Sequence, residues 1–407
     1  MKNCSIMSGY GLYLAVSALI LWCAPAHAQY GDLILKDPQV VQKVVAKYQS
    51  GNINSAATIK NLVGNADARL QEGPFSVTLK TQLPPSGDIH DYMSMGPYWW
   101  PDPEKEDGLP YIRKDGEINP EYFDYKDKEQ LGKLMNALTD LSHGFVLTGE
   151  EKYAAHAIGL LQAWFLDPET KMNPNLNFAQ CIPGVTEGRG IGIIDTRRFA
   201  DLPDIIHFLE RSAHWSPEIG DNMKGWIGEY LDWLVNSQHG KDEAIHGNNH
   251  TTWYFAQTVP LALYLGRDAQ ADSLAQAGLP LILDVMIEGD GSQPKELART
   301  KSWDYSSMNL FGMYQFALAC EHLGMDLWNY TNGNGGGLKA ALDYLVSYAD
   351  GENKWGFEQI TPMDPAKIIP CLHIAAVKFG EQDYEAIAEK LSGSEKDFSF
   401  MDWAVNK

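Results

Sequence analysis

The sequence predicts an all-α fold, an α/α toroid in which helical hairpins stack into an incomplete barrel with long irregular lid loops. Three observations lead there. About twelve segments carry apolar residues at helical spacing, and strand patterns are scarce. Connections alternate between short and long; Thr148-Gly149-Glu150 joins two amphipathic segments as the turn of an antiparallel helical hairpin. No repeat of fixed period is present, which disfavours a regular solenoid.

The chain opens with Lys2, an apolar run from Leu12 to Trp22 and Ala26-His27-Ala28. This is the pattern of a secretory signal peptide over residues 1–28, cut after Ala28, and the run is too short to span a membrane. Trp22 does not suit the small residue expected before a lipidated cysteine at Cys23. The expected product is periplasmic or secreted, a single domain over 29–407 of about 380 residues. Cys181, Cys320 and Cys371 remain in it and allow at most one disulfide. A formal net charge of −21 argues against nucleic acid and anionic membranes as partners. An acidic polymer stays possible as substrate, because local positive charge in a cleft outweighs the total. Twelve Trp and nineteen Tyr suit either sugar rings or a large helical core.

Helices are expected at 37–50, with Asp37 as N-cap and Pro38 in the first turn, and at 55–71. A short strand-like run follows at 75–79. From Pro74 to about Asp124 no good helix is visible, and Pro97, Pro101 and Pro103 exclude one where the aromatics cluster. A loop of this length that carries His90, Tyr92, Tyr98, Trp99, Trp100 and Arg113 reads as a lid or cleft wall over a ligand. Helices resume at 126–147 and 151–165. The stretch 173–195 is irregular, with Gln180, Glu187, Arg189 and glycines at 188, 190 and 192. No strand leads into those glycines and no Gly-Lys-Ser/Thr follows, so close backbone approach is favoured over nucleotide binding. Further helices are expected at 196–211, 217–237, 249–265, 270–288, 306–323, 338–348, 366–378 and 384–391.

Two stretches carry chemistry. In Gly247-Asn248-Asn249-His250-Thr251-Thr252-Trp253-Tyr254, Asn248 or Asn249 caps a helix and His250 sits in its first turn. His250, Trp253, Tyr254 and Gln257 then share one face. In the second stretch, 296–310, Arg299 and Tyr305 lie at or just before a helix that Asp304 or Ser306 caps. In a toroid every second helix starts at the same end. Asn249, His250, Arg299 and Tyr305 would therefore gather at one rim beside two positive helix ends. That set fits β-elimination on a polyuronate. Arg299 and Asn249 offer a cation and an amide to the sugar carboxylate, while Tyr305 and His250 can move protons from C5 and to O4. In mannuronate H5 and O4 lie on one side of the ring, and Tyr305 could serve as base and then acid. In guluronate they lie on opposite sides, giving His250 as base and Tyr305 as acid.

At these residues the chain resembles the alginate lyase superfamily, closest to polysaccharide lyase families 5 and 38, with family 38 the better match. The resemblance rests on Tyr92-Met93-Ser94, on Pro97-Tyr98-Trp99-Trp100-Pro101-Asp102-Pro103, on Gly108 to Arg113, on Asn249-His250 and on Arg299 with Tyr305. It implies an α/α toroid, a catalytic His250 and Tyr305, carboxylate neutralisation by Asn249 and Arg299, and no obligatory metal or organic cofactor. Alginate is the first expected substrate, then glucuronan or another uronate polymer. Substrate contacts are expected from His90, Tyr92, Tyr98, Trp99, Trp100, Arg113, Arg189 and Trp253. Three other functions compete. A zinc site would use His246 and His250, but the Glu of H-E-x-x-H is absent. A glycoside hydrolase would need two carboxylates among Glu187, Asp195 and Asp304. A non-catalytic glycan binder would use the aromatic loop alone.

Overall fold

The computed structural model describes residues 30–50, 56–349, 351 and 353–392. The expected signal peptide lies outside them. Helices dominate: α1 Pro38–Gln49, α2 Ala56–Arg69, α3 Asp127–Thr148, α4 Glu151–Leu161, α5 Leu202–Leu209, α6 Pro217–Asn236, α7 Gln238–Ala244, α8 Asn249–Tyr264, α9 Asp268–Leu279, α10 Pro294–Leu297, α11 Ser302–Glu321, α12 Leu338–Ala349, α13 Ile369–Lys378 and α14 Gln382–Ser392. The all-α toroid holds. Asp37 caps α1, accepting from the backbone N–H groups of Gln39 and Val40, and α3 ends at Gly149 with φ 70°, which opens the α3–α4 hairpin.

The inner helices α3, α8 and α11 are buried on most faces. α8 packs between α11 and a 3₁₀ segment, Gly190–Asp201. One apolar core runs from Ile34 to Ala388. A smaller one seats α1 against α3 and α5 through Val41, Val44, Val45, Val146 and Phe208. Among the described residues no helix is long and apolar enough to cross a membrane.

Several boundaries differ from expectation. The segment 75–79 is not a strand. Ser76 caps a 3₁₀ turn over Val77–Leu79 instead, because its side chain accepts from the N–H of Thr78. The expected helix at 196–211 is 3₁₀ up to Asp201, and α11 begins at Ser302, so Asp304 lies in its first turn rather than capping it. A further helix, α7, was not expected; Ser237 caps it, accepting from Gly240 N. The glycines at 188 and 192 do mark close approach. A Cβ would sit 1.9 Å from the Asn177 carbonyl oxygen at Gly188 and 2.5 Å from the Ala179 Cβ at Gly192.

The lid region is ordered by short pairings. β1 (Met93–Met95) runs parallel to β4 (Phe178–Cys181), and β2 (Trp99–Trp100) pairs antiparallel with β3 (Ile112–Arg113). Cys181, Cys320 and Cys371 are all buried free thiols, so no disulfide forms among them.

Candidate active site

Gly247, at φ 82°, turns the chain from α7 into α8. Asn248 is the N-cap, its side-chain oxygen accepting from His250 N at 3.1 Å. The positive end of α8 is then occupied from inside the protein. Asn249 donates its backbone N–H and its amide to the two oxygens of Glu296, at 2.7 and 2.8 Å. Glu296 is buried within the short helix α10, and burial pushes its pKa up. On the next residue, His250 Nδ1 lies 2.9 Å from Oε1 of Glu243, a fully buried carboxylate at the end of α7. With Nδ1 protonated and donating to Glu243, the Nε2 lone pair is the one left to take a proton. Burial raises the Glu243 pKa, and His250 pulls it back.

Three residues beyond Glu296 comes Arg299. Its guanidinium lies over the Tyr305 ring, 3.8 Å from the centroid. Tyr305, in the first turn of α11, shares a 2.8 Å hydrogen bond with the hydroxyl of Tyr98 from the lid. The phenol is buried, which pushes its pKa well above the usual tyrosine range; Tyr98 adds to the rise and Arg299 opposes it. The other edge of Arg299 donates to Asp115 at the lid tip, from Nε at 3.1 Å and Nη2 at 2.8 Å.

The two stretches read from the sequence therefore meet. Asn249, the neighbour of His250, holds Glu296, and Arg299, three residues beyond Glu296, covers Tyr305. Around them stand Lys295, close to Gly247, and Arg189, whose Nε donates to the Gln180 carbonyl at 3.0 Å. Gln180 is held at φ 51°, unusual for a residue with a Cβ. His246 packs edge-on against His250 with ring centroids 5.1 Å apart, and burial lowers its pKa to about 4. No group of three or more His, Cys, Asp or Glu among the described residues could hold a metal ion.

The remaining expected contacts divide. Tyr98, Trp99 and Trp100 are half-buried on the lid. Arg189 lies over the Trp99 ring at 5.7 Å and Lys114 over Trp100 at 4.9 Å. Arg113 is exposed and bonded to Asp115 at 2.7 Å. His90 is a brace, with Nδ1 2.6 Å from the Lys171 carbonyl oxygen. Two expectations are overturned by burial. Tyr92 is fully buried, its hydroxyl donating to Asp195. Trp253 is a core residue against Phe311, and the face it shares with Tyr254 and Gln257 serves packing and internal hydrogen bonds. Asn249 is also fully buried, with its amide given to Glu296. It can meet a sugar carboxylate only where Glu296 yields. Two of the three hydrolase carboxylates are unsuitable: Asp195 is buried under Lys128, Ser94 and Gln180, and Asp304 is paired with Lys367 at 2.7 Å.

Sequence reading missed Glu243, Glu296 and Asp115. Glu243 precedes His250 by seven residues, but the break at Gly247 hides the relation. Glu296 and Asp115 carry no local signal among so many acids.

A family model described as alginate lyase matches residues 76–355. The crystal structure of an alginate lyase from Bacteroides ovatus is 36% identical, with a TM-score of 0.85 covering 92% of this chain and 99% of that one. Alginate lyase A1-III from Sphingomonas species A1 shares the fold at 16% identity and a TM-score of 0.54, covering 87% of this chain and 92% of its own. No curated protein matches.

Proposed function

The chain belongs to the alginate lyase family, and from that premise we propose that it is a polysaccharide lyase that cleaves alginate by β-elimination. The observation that carries the chemistry is that Asn249, the neighbour of His250, is bonded to Glu296, three residues before the Arg299 that covers Tyr305, which brings two differently prepared proton carriers to one rim. His250 has its Nδ1 side fixed on Glu243, while Tyr305 lies protonated under Arg299.

The C5 proton of a uronate is acidic only when negative charge can build on its carboxylate. Arg299 supplies that stabilisation from the Nη1 side, which Asp115 leaves open, with Arg189 and Lys295 adding positive potential. His250 Nε2 takes the C5 proton. The electron pair forms the C4–C5 double bond, the C4–O4 bond breaks, and Tyr305 gives its proton to the departing O4. Base and acid are then separate groups, as guluronate requires. On mannuronate Tyr305 serves as both: once its own proton has left to solvent water, the phenolate takes the C5 proton and the phenol so formed returns it to the departing O4. Asn249 acts beneath the reacting groups by holding Glu296. Trp99 and Trp100 offer aromatic faces to sugar rings along the lid. The single domain spans 29–407, and the N-terminal signal directs it to the periplasm or outside the cell.

Purified protein incubated with polymannuronate, polyguluronate and glucuronan tests this reading. Release of products with the ultraviolet absorbance of a conjugated unsaturated uronate is expected from the alginate blocks. New reducing ends without that absorbance would make the protein a hydrolase.

A further inference from the structure

Asp115, on the lid just beyond β3, is the most heavily bonded carboxylate at the site. Arg113 and Arg299 reach Oδ1 at 2.7 and 2.8 Å; Arg299 Nε, Thr300 N and Thr300 Oγ1 reach Oδ2 at 3.1, 3.4 and 3.1 Å. A carboxylate has about four lone-pair directions, so this one is saturated. It is not a place-holder for a sugar carboxylate, since displacing it would strand several donors at once. The neighbouring backbone is equally committed. Gly116 sits at φ 77°, and a Cβ there would lie 2.4 Å from Thr300 Oγ1 and 2.8 Å from Ile360 Cδ1.

We infer that Asp115 is a positioning residue for the elimination: it clamps the Nε–Nη2 edge of Arg299 so that the guanidinium plane stays on the Tyr305 ring and the Nη1 side faces the cleft. A free arginine has several rotatable bonds and would lose that orientation. With Asp115 on the lid and Arg299 on the toroid, the site is complete only when the lid is down. The inference rests on Arg299 and Tyr305 acting as proposed above.

Asp115 also sets the charge that Tyr305 meets. The groups facing this phenol are Tyr98 from the lid, Arg299 from the segment before α11, and Asp115; Lys301 lies over the Tyr98 ring at 5.9 Å. Asp115 and Tyr98 favour the neutral phenol, and Arg299 favours the phenolate. Replacing Asp115 by Asn removes one negative charge and leaves Arg299 uncompensated. Both changes make Tyr305 easier to ionise.

Wild type and Asp115→Asn are compared on guluronate blocks, where Tyr305 acts as acid, by initial rate across pH. The variant is expected to lose at least about tenfold in kcat with little change in KM, through misplacement of one catalytic group. A folded variant with kcat within twofold of wild type overturns the inference, and so does a loss that falls mainly on KM. If Asp115→Asn does not fold, Thr300→Val decides. It removes one donor to the same oxygen and keeps every charge, and kcat should fall about threefold; an unchanged kcat overturns the inference. Wild-type protein that yields no unsaturated product from any uronate polymer refutes the lyase reading and this inference with it. An active wild type with an indifferent Asp115→Asn refutes this inference alone.

Discussion

Glu243 offers the sharpest test of how His250 works. Its side chain is fully buried, and its Oε1 lies 2.9 Å from Nδ1 of His250. Glu243→Gln keeps the shape of the side chain and removes its charge. The ring then faces an amide that can accept from Nδ1–H or donate to a bare Nδ1. In the second arrangement the proton moves to Nε2, and the base is gone. In the first, a charge-assisted hydrogen bond becomes a neutral one, roughly half as strong. Outer partners that orient a metal-bound histidine typically matter by about 10–100-fold; an effect of that size on His250 corresponds to about 1.4–2.7 kcal/mol in the barrier. The expected result is therefore a 10–100-fold fall in kcat on guluronate blocks, with KM changed by less than about threefold, since Glu243 has no surface to offer a sugar. The assay is the initial rate of ultraviolet absorbance on block-defined alginate, beside a melting curve to show that the variant is folded. A folded Glu243→Gln within twofold of wild type on guluronate blocks would show that His250 needs no partner at Nδ1, and the assignment of His250 as base would lose its structural support.

Tyr305→Phe should reduce turnover on mannuronate blocks by at least about 10²-fold; substantial retained activity would remove Tyr305 from the reaction, and the comparison with His250→Ala, expected to harm guluronate cleavage more than mannuronate cleavage, tests the division of labour. Asp127, buried against Lys80 at 2.8 Å, has its pKa pushed up to about 6 by burial. The folded state holds that proton more tightly than the unfolded chain, so Asp127 favours folding fully below about pH 4 and loses this contribution as pH rises through about 6. Asp127→Asn cannot titrate, so wild type should lose melting temperature relative to the variant between pH 4 and 7; parallel curves would refute it. The buried thiols of Cys181, Cys320 and Cys371 should resist alkylation in the native protein and react after denaturation, as intact mass would show.

Much of the site was legible in the chain because its parts are anchored by local rules. Asn248 caps α8 and brings His250 into the first turn, whatever the helix later packs against. Prolines 97, 101 and 103 forbid a helix where the aromatics need an irregular lid. Tyr305, expected at or just before a helix start, lies in the first turn of α11, a shift of a few residues in the boundary. Burial was not legible. Tyr92 and Trp253 have the composition of sugar platforms, yet both face the core, because a toroid this size must fill its interior with large rings.

The chain by itself determined the all-α class, the order of the helices and the residue types at the two chemical stretches, since periodicity, caps and prolines act over a few residues. Only the tertiary structure decided the carboxylates. Glu243, Glu296 and Asp115 stand among 53 acidic residues in the chain. They are singled out by being buried against His250, Asn249 and Arg299, and that selection depends on which elements pack together rather than on any spacing along the sequence.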